Sequence, residues 1–251
     1  MQADFIFDVL ALTNALSHNR VDPFKKDGEI DNIQWLSRYC WNLTLSEALY
    51  TPLQNVEIAL RNALYRPIAE DKGKDWLLPA RQIILQDKER LEVEKAIEFL
   101  SHHKKAIEPS RVVAELNFGF WTGLLNRRYE QKLWPFYLQR VFPFAPARER
   151  KRRIFSERFD RIRKLRNRVF HHEPIWRWDD LRERHQEILE AIHWMSPSLA
   201  QLVTRTDRFL KTYDDGFEPY VDIVKDLLKK ENAKPGILTP GASAPGGASA
   251  P

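Results

Sequence analysis

Apolar residues recur along this chain at helical spacing, and no stretch shows the period-two alternation of a half-buried strand. Phe5, Val9, Leu12 and Leu16 predict a helix over about Asp4 to Ser17, and Pro23 and Gly28 mark Asn19 to Glu29 as a loop. A second helix is expected from Asp31 to Leu49. Pro52 then starts or kinks a third that runs to about Tyr65, with Leu53, Val56, Leu60 and Leu64 on one stripe. Asp71 to Ala80 reads as a turn region. The charged helix after it, Gln86 to Lys104, ends on His102 and His103, which complement its C-terminal dipole. Ser110 is placed to cap a short helix, and Asn117-Phe118-Gly119-Phe120-Trp121 opens the next. After a loop at Phe142 to Pro146 comes a long helix whose stripe is Phe155, Phe159, Ile162, Leu165 and Val169. It stops before Pro174, because a residue preceding proline is pushed out of helical geometry. Asp179 or Asp180 caps a helix to about Met195, and Ser196-Pro197 starts one through Leu210. Asp214-Asp215-Gly216 breaks the chain before a last helix, Glu218 to Lys230.

The pattern is all-α. With 251 residues, 43% hydrophobic and 12% aromatic, the chain has ample material for one core, read here as a single domain over 1–232. Trp121, Tyr129, Trp134, Phe136 and Tyr137 are assigned to that core rather than to base stacking. Residues 233–251 are read as a disordered tail, its last eleven residues resembling a linker scar. Cys40 is the single cysteine, so no internal disulfide can form, and a reducing compartment is expected. It lies in an apolar helix and is a poor nucleophile candidate. There is no run of about 18 apolar residues and no basic-then-apolar leader. The expectation is a cytoplasmic protein without a membrane partner.

Charge alters this picture locally. From Ala145 to Arg168 eleven Lys/Arg face only Glu149, Glu157 and Asp160, a net +8, which leaves −3 for the rest of a chain whose total is +5. A solvated helix face is the usual meaning of such a run. Here the run leads into Arg166, Asn167, His171 and His172, which favours a surface that tracks phosphates through Arg150, Arg152, Arg153, Arg161, Arg163, Lys164 and Arg168.

That terminal group combines a fixed cation, an amide and one or two groups that move protons near neutral pH. Asn167 and His171 share a helix face at i and i+4, whereas His172 points roughly 100° away on an ideal helix. His171 is therefore preferred over His172 as the proton carrier, unless the helix unwinds there. Arg166 sits on the shoulder of the apolar stripe, where a charge needs a partner. The bland alternative is a basic helix whose terminal histidines complement the dipole. Glu57, on the apolar stripe of the third helix, also needs a partner. Arg61 at i+4 is the preferred one, and the alternative is that Glu57 holds Arg166. His185 and His193 are read as surface histidines. No phosphate loop, His-Glu-x-x-His or Cys-x-x-Cys is present, and His171, His172 and Glu173 have no recognised metal-ligand spacing.

The stretch Leu165-Arg166-Asn167-Arg168-Val169-Phe170-His171-His172-Glu173-Pro174 resembles the signature of the Abi-like (abortive infection) proteins, which belong to the all-helical HEPN ribonuclease superfamily. Two further blocks agree in order: Trp41 to Tyr50 with Leu53 and Val56 to Leu64, then Leu116 to Trp121 with Trp134. The resemblance spans roughly residues 30 to 210. It implies a HEPN-like helical bundle with additional N- and C-terminal helices, and catalysis by Arg166, Asn167 and His171, with His172, Glu173, Glu57 and Arg61 in support. It also implies a homodimer that pairs two motifs, and it admits an antitoxin, protein or RNA, as a further partner.

Such a set of groups suits metal-independent RNA cleavage with no cofactor. Imidazole removes the proton of a ribose 2′-hydroxyl or protonates the leaving 5′-oxygen, and guanidinium stabilises charge on the phosphorus. The products are a 2′,3′-cyclic phosphate and a 5′-hydroxyl. Two alternatives stand beside this endoribonuclease: a non-catalytic RNA-binding or regulatory HEPN module, and the neutralising half of a toxin–antitoxin pair.

Overall fold

The computed structural model describes residues 7–26, 28–82 and 84–232. The start of the first expected helix and the tail 233–251 lie outside the described residues. Among these residues there are helices and no strand, so the fold is all-α as the periodicity predicts.

The short helices α1 (Val9–Leu16) and α2 (His18–Val21) come first, α1 capped by Asp8, whose carboxylate accepts from the N–H groups of Leu10 and Ala11. The largest element is α3 (Asn32–Lys72), a single helix of 41 residues. The sequence predicts two helices here, divided near Pro52, yet Pro52 and Pro67 both lie inside α3. A proline in a helix interior costs about 3 kcal/mol. Against that stands the row Leu45, Leu49, Leu53, Val56, Leu60, Leu64 and Ile68, spaced by three or four and almost wholly buried. Each such side chain contributes about 1.5–3 kcal/mol by burial, and a break at Pro52 would rotate half the row out of the core. Packing therefore wins.

Around α3 follow α4 (Asp87–His102), α5 (Pro109–Glu115), α6 (Phe118–Gly123), α7 (Trp134–Val141), α8 (Arg152–Phe170), α9 (Leu181–Met195), α10 (Pro197–Thr206), α11 (Phe209–Asp215) and α12 (Glu218–Asn232). Helix α3 packs against α6, α7, α8, α9, α10, α11 and α12. The predicted stripe of α8 is buried in full, and Trp121, Tyr129, Trp134 and Tyr137 join the core. Phe136 does not, being 67% exposed. A second, smaller cluster of Val21, Phe24, Trp35, Leu36 and Val224 ties α2 and α12 to the start of α3. His103 caps α4 as expected, its Nδ1 lying 2.8 Å from the Phe99 carbonyl. Asn117 opens α6 by accepting from the Phe120 N–H. Ser110 is not a cap: Pro109 takes the first position of α5, and Glu108 precedes it.

Buried polar groups make two contacts that periodicity does not show. Glu89 of α4, 1% exposed, takes Arg128 as ion partner and accepts from the Tyr129 hydroxyl at 2.5 Å. Burial, together with that bond, pushes the Tyr129 phenol well above its ordinary range. The other is His185, expected on the surface but 1% exposed in α9. Its Nε2 pairs with the Asp207 carboxylate, and its ring stacks on Phe209 at 4.4 Å. Asp207 also accepts from the Phe209 N–H at 2.8 Å, capping α11. This is why one predicted helix through Leu210 is in fact α10 and α11, joined at an extended Asp207. Burial disfavours the Asp207 carboxylate, but hydrogen bonds from His185 and from backbone N–H groups outweigh it and hold the carboxyl below its usual range.

His185→Ala should therefore cost about 3 kcal/mol in urea denaturation at neutral pH, because it leaves the nearly buried Asp207 charge with backbone N–H groups alone. Asp207 has a depressed folded-state pKa, so its contribution is complete above about pH 4 and is lost as pH falls through the lower folded-state value. The stability difference between wild type and Asp207→Asn should shrink as pH is lowered through that window. A difference that is flat from pH 7 to pH 3 would contradict the assignment.

Candidate functional site

Helix α8 delivers the chemistry at its C-terminal end. It does not run up to Pro174 but stops at Phe170, with His171 as C-cap and His172 in the left-handed region at φ 58°. The His172 N–H donates to the Val169 carbonyl and the Glu173 N–H to the Arg168 carbonyl. These are the paired bonds of a Schellman cap, a position usually filled by glycine. Arg20 of α2 donates to the carbonyls of His171 and His172 and supplies a cation at the negative end of the helix dipole. Beyond the turn, the buried Asn42 of α3 accepts from the Ile175 and Trp176 N–H groups at 2.8 and 3.2 Å. The reversal is thus fixed from three separate parts of the chain.

Arg166 leans toward α3. Its Nε donates to Glu57 at 3.2 Å, Nη1 makes a long 3.4 Å contact with the Asn167 side-chain oxygen, and the guanidinium lies 4.3 Å from the centre of the Phe170 ring. The preferred pairing of Glu57 with Arg61 is therefore corrected: Glu57 holds Arg166, and the Arg61 Nε is buried without a hydrogen-bond partner. The two helices run antiparallel, so Glu57 meets Arg166 just as Tyr50 meets Phe170, their rings stacked at 5.6 Å. Sequence spacing along one helix could not show this pairing across two.

A cavity of about 700 Å³ opens at this end of α8. Its walls include Glu47 and Tyr50 of α3, Phe170 and His172 at the end of α8, and Thr206 and Arg208 around the joint of α10 and α11. His172 lines it and His171 does not, which reverses the order that an ideal helix suggests. The cause is the left-handed turn, which redirects the residue after the cap. Arg166 and Asn167 do not line the cavity either, and Arg166 borders it through the Phe170 ring. Arg208 and Tyr50 had no functional reading in the sequence. Nothing in the local pattern of either residue points to the other side of a shared cavity.

The basic run is mostly engaged inside the molecule. Arg150 donates to the Ala145 and Pro143 carbonyls and to Gln139. Arg152 bonds the Leu125 carbonyl, lies 3.3 Å from Glu130 and is 10% exposed in its side chain. Arg161 grips Glu187 of α9 with two nitrogens, and Arg158 reaches Glu187 and Glu190. Arg163 and Lys164 share Asp160. Arg168 donates to the Pro174 carbonyl, pairs with Glu173 at 3.5 Å and packs over Trp178. Arg153 keeps its head in solvent, 80% exposed beside Glu157. As a continuous phosphate track this face is much poorer than its composition suggests, since Arg158 and Arg161 are taken by Glu187 and Glu190 of α9 and Arg150 and Arg152 reach backbone carbonyls. Glu173 contributes a partner to Arg168 and no wall to the cavity.

Burial pushes the Cys40 thiol up, consistent with an unreactive side chain. Among the described residues no group of three His, Cys, Asp or Glu side chains is arranged to hold a metal ion, and no helix is long and apolar enough to cross a membrane. Comparison with family models, with curated proteins and with solved structures gives no match.

Proposed function

We propose that this chain is a metal-independent endoribonuclease of the HEPN type, acting in the cytoplasm as an abortive-infection effector or as the toxin of a toxin–antitoxin pair. The observation that carries the reading is the end of α8. There an arginine oriented by a carboxylate, an amide and two exposed imidazoles gather beside a cavity large enough for a nucleotide. Glu57 takes the Arg166 Nε and Asn167 makes only a long 3.4 Å contact with Nη1, so the outer edge of the guanidinium is left to meet phosphate oxygens. His172 is the proton carrier favoured by its place on the cavity wall, with His171 next to it. One imidazole removes the 2′-hydroxyl proton, the 2′-oxygen attacks phosphorus, and the bond to the 5′-oxygen breaks as that oxygen is protonated. Arg166 counters the charge that builds on the phosphoryl oxygens.

RNA cleavage should survive EDTA, stop on 2′-deoxy substitution at the cleaved nucleotide and leave a 2′,3′-cyclic phosphate. His172→Ala should lower the rate by about 10²–10⁴, with Arg166→Ala at least as damaging and His171→Ala less so. Activity that EDTA removes and Mg²⁺ restores would overturn the chemistry. RNA that is bound but never cut would leave a non-catalytic RNA-binding module instead.

His172→Gly separates function from stability. A non-glycine residue in the left-handed region is strained by on the order of 1 kcal/mol, so this variant should raise the urea midpoint while abolishing cleavage. Equal or lower stability would mean that His172 makes contacts in the folded state that offset its strain.

One motif offers a single imidazole to the cavity, whereas transesterification needs both a base and an acid. We therefore propose a homodimer in which two α8 ends face one cleft across a two-fold axis. Sedimentation should show a dimer at working concentration, and mixing His172→Ala with wild type should change the activity per wild-type chain. A monomer with full activity would remove the composite site.

A further inference from the structure

Besides the end of α8, the cavity is lined by residues around the joint between α10 and α11, among them the exposed Arg208. No hydrogen bond or ion pair engages the Arg208 side chain among the described residues. The neighbouring carboxylate, Asp207, is turned inward and committed to His185 and to the Phe209 N–H, so it does not neutralise Arg208. The buried His185–Asp207 pair thereby fixes the backbone that presents this cation to the cavity. The same cavity is lined by Tyr50, 50% exposed, whose ring stacks on that of Phe170. A free guanidinium, an exposed aromatic face held rigid from behind and a volume of about 700 Å³ form one concave site. Cavities that take small ligands run from about 300 to 1,000 Å³.

We propose that this cavity seats one unstacked nucleotide of single-stranded RNA, its phosphate on Arg208 and its base against Tyr50. The inference rests on the reading of the chain as an RNA-cleaving protein and deepens it, since it places the nucleotide next to the cleaved bond. An aromatic face accepts any base, and a guanidinium accepts any phosphate, so the site fixes position more than sequence. Glu47 is the acid on the wall, one helical turn before Tyr50. Its carboxylate repels phosphate and only accepts hydrogen bonds, which sets the polarity of the bound nucleotide. The phosphate lies toward Arg208 and His172, and a donating group of the base or sugar lies toward Glu47. A duplex does not fit, because its bases are already stacked and paired.

The test uses the full chain and a short 2′-fluoro oligoribonucleotide, which keeps phosphates and bases but lacks the attacking hydroxyl. Wild type should bind it; Arg208→Ala should weaken binding about 10-fold or more and reduce the salt slope by about 0.7. Tyr50→Ala should weaken binding about 10-fold, and Tyr50→Phe, which keeps the ring, should restore it. Arg111→Ala on α5, with the same charge change, is the control and should bind like wild type. Circular dichroism confirms that each variant is folded, as exposed positions allow. No binding by wild type, or Arg208→Ala and Tyr50→Ala variants that bind as wild type does, would overturn the pocket. The two readings fail separately. Binding that depends on Arg208 and Tyr50 in a chain that cuts no RNA keeps the pocket and removes the nuclease. RNA cleavage whose KM is unmoved by both variants keeps the nuclease and removes the pocket.

Discussion

The fold depends on one helix continuing through two prolines. The buried row from Leu45 to Ile68 only works as a single seam if α3 stays in phase past Pro52 and Pro67. Seven other helices pack on that seam or its flanks, so a kink would misplace the packing surface for most of the molecule. The same continuity sets the functional geometry. Asn42, Tyr50 and Glu57 sit about two turns apart along α3 and meet Ile175, Phe170 and Arg166 in reverse order along the chain. A change of phase at Pro52 would separate Tyr50 from Glu57, and with them the aromatic wall from the arginine.

Charge in this protein has to be read in pairs of helices. The basic run of α8 looks like a nucleic-acid surface while it is counted alone. Glu187 and Glu190 on α9 then absorb Arg158 and Arg161, and backbone carbonyls absorb Arg150 and Arg152. Partly buried arginines with several acceptors are held for structure, and their loss would cost packing as well as charge. The cations left to meet a ligand are fewer and more specific. Arg166 presents its outer edge because Glu57 occupies Nε and Asn167 makes only a long contact with Nη1, and Arg208 is free because Asp207 faces inward.

Periodicity was sufficient for the all-α architecture, for the α8 stripe and for several ends, because a helix shows its buried face in its own sequence. It divided α3 at Pro52, where a local cost of about 3 kcal/mol was outweighed by a seam whose partners lie far along the chain. It also left His185 on the surface. A histidine on a helix face looks the same whether water or a carboxylate twenty-two residues later receives it. The Arg166–Asn167–His171–His172 group was legible as residue types. Its arrangement was not, because the chain turns left-handed at His172 and so puts that residue on the cavity wall. Neither Arg208 nor Tyr50 pointed to a cavity, since a cavity is a property of three elements and not of any one.

The end of α8 shows how the site and the fold share one device. His172 occupies a position where glycine would be more comfortable, so the turn must be stabilised by its surroundings. It is: two cap hydrogen bonds within the turn, Arg20 from α2 on its carbonyls, and Asn42 of α3 on the strand of chain that leaves it. Arg20 belongs to the N-terminal segment, which is anchored by the small cluster around Phe24 and Trp35 rather than by the main core. The turn that carries His172 therefore depends on a peripheral cluster and on the central helix at once. A left-handed histidine held from both directions is redirected away from the helix face that its neighbours continue. That redirection is what puts it in the cavity that Arg208 also lines, and it follows from the backbone turn.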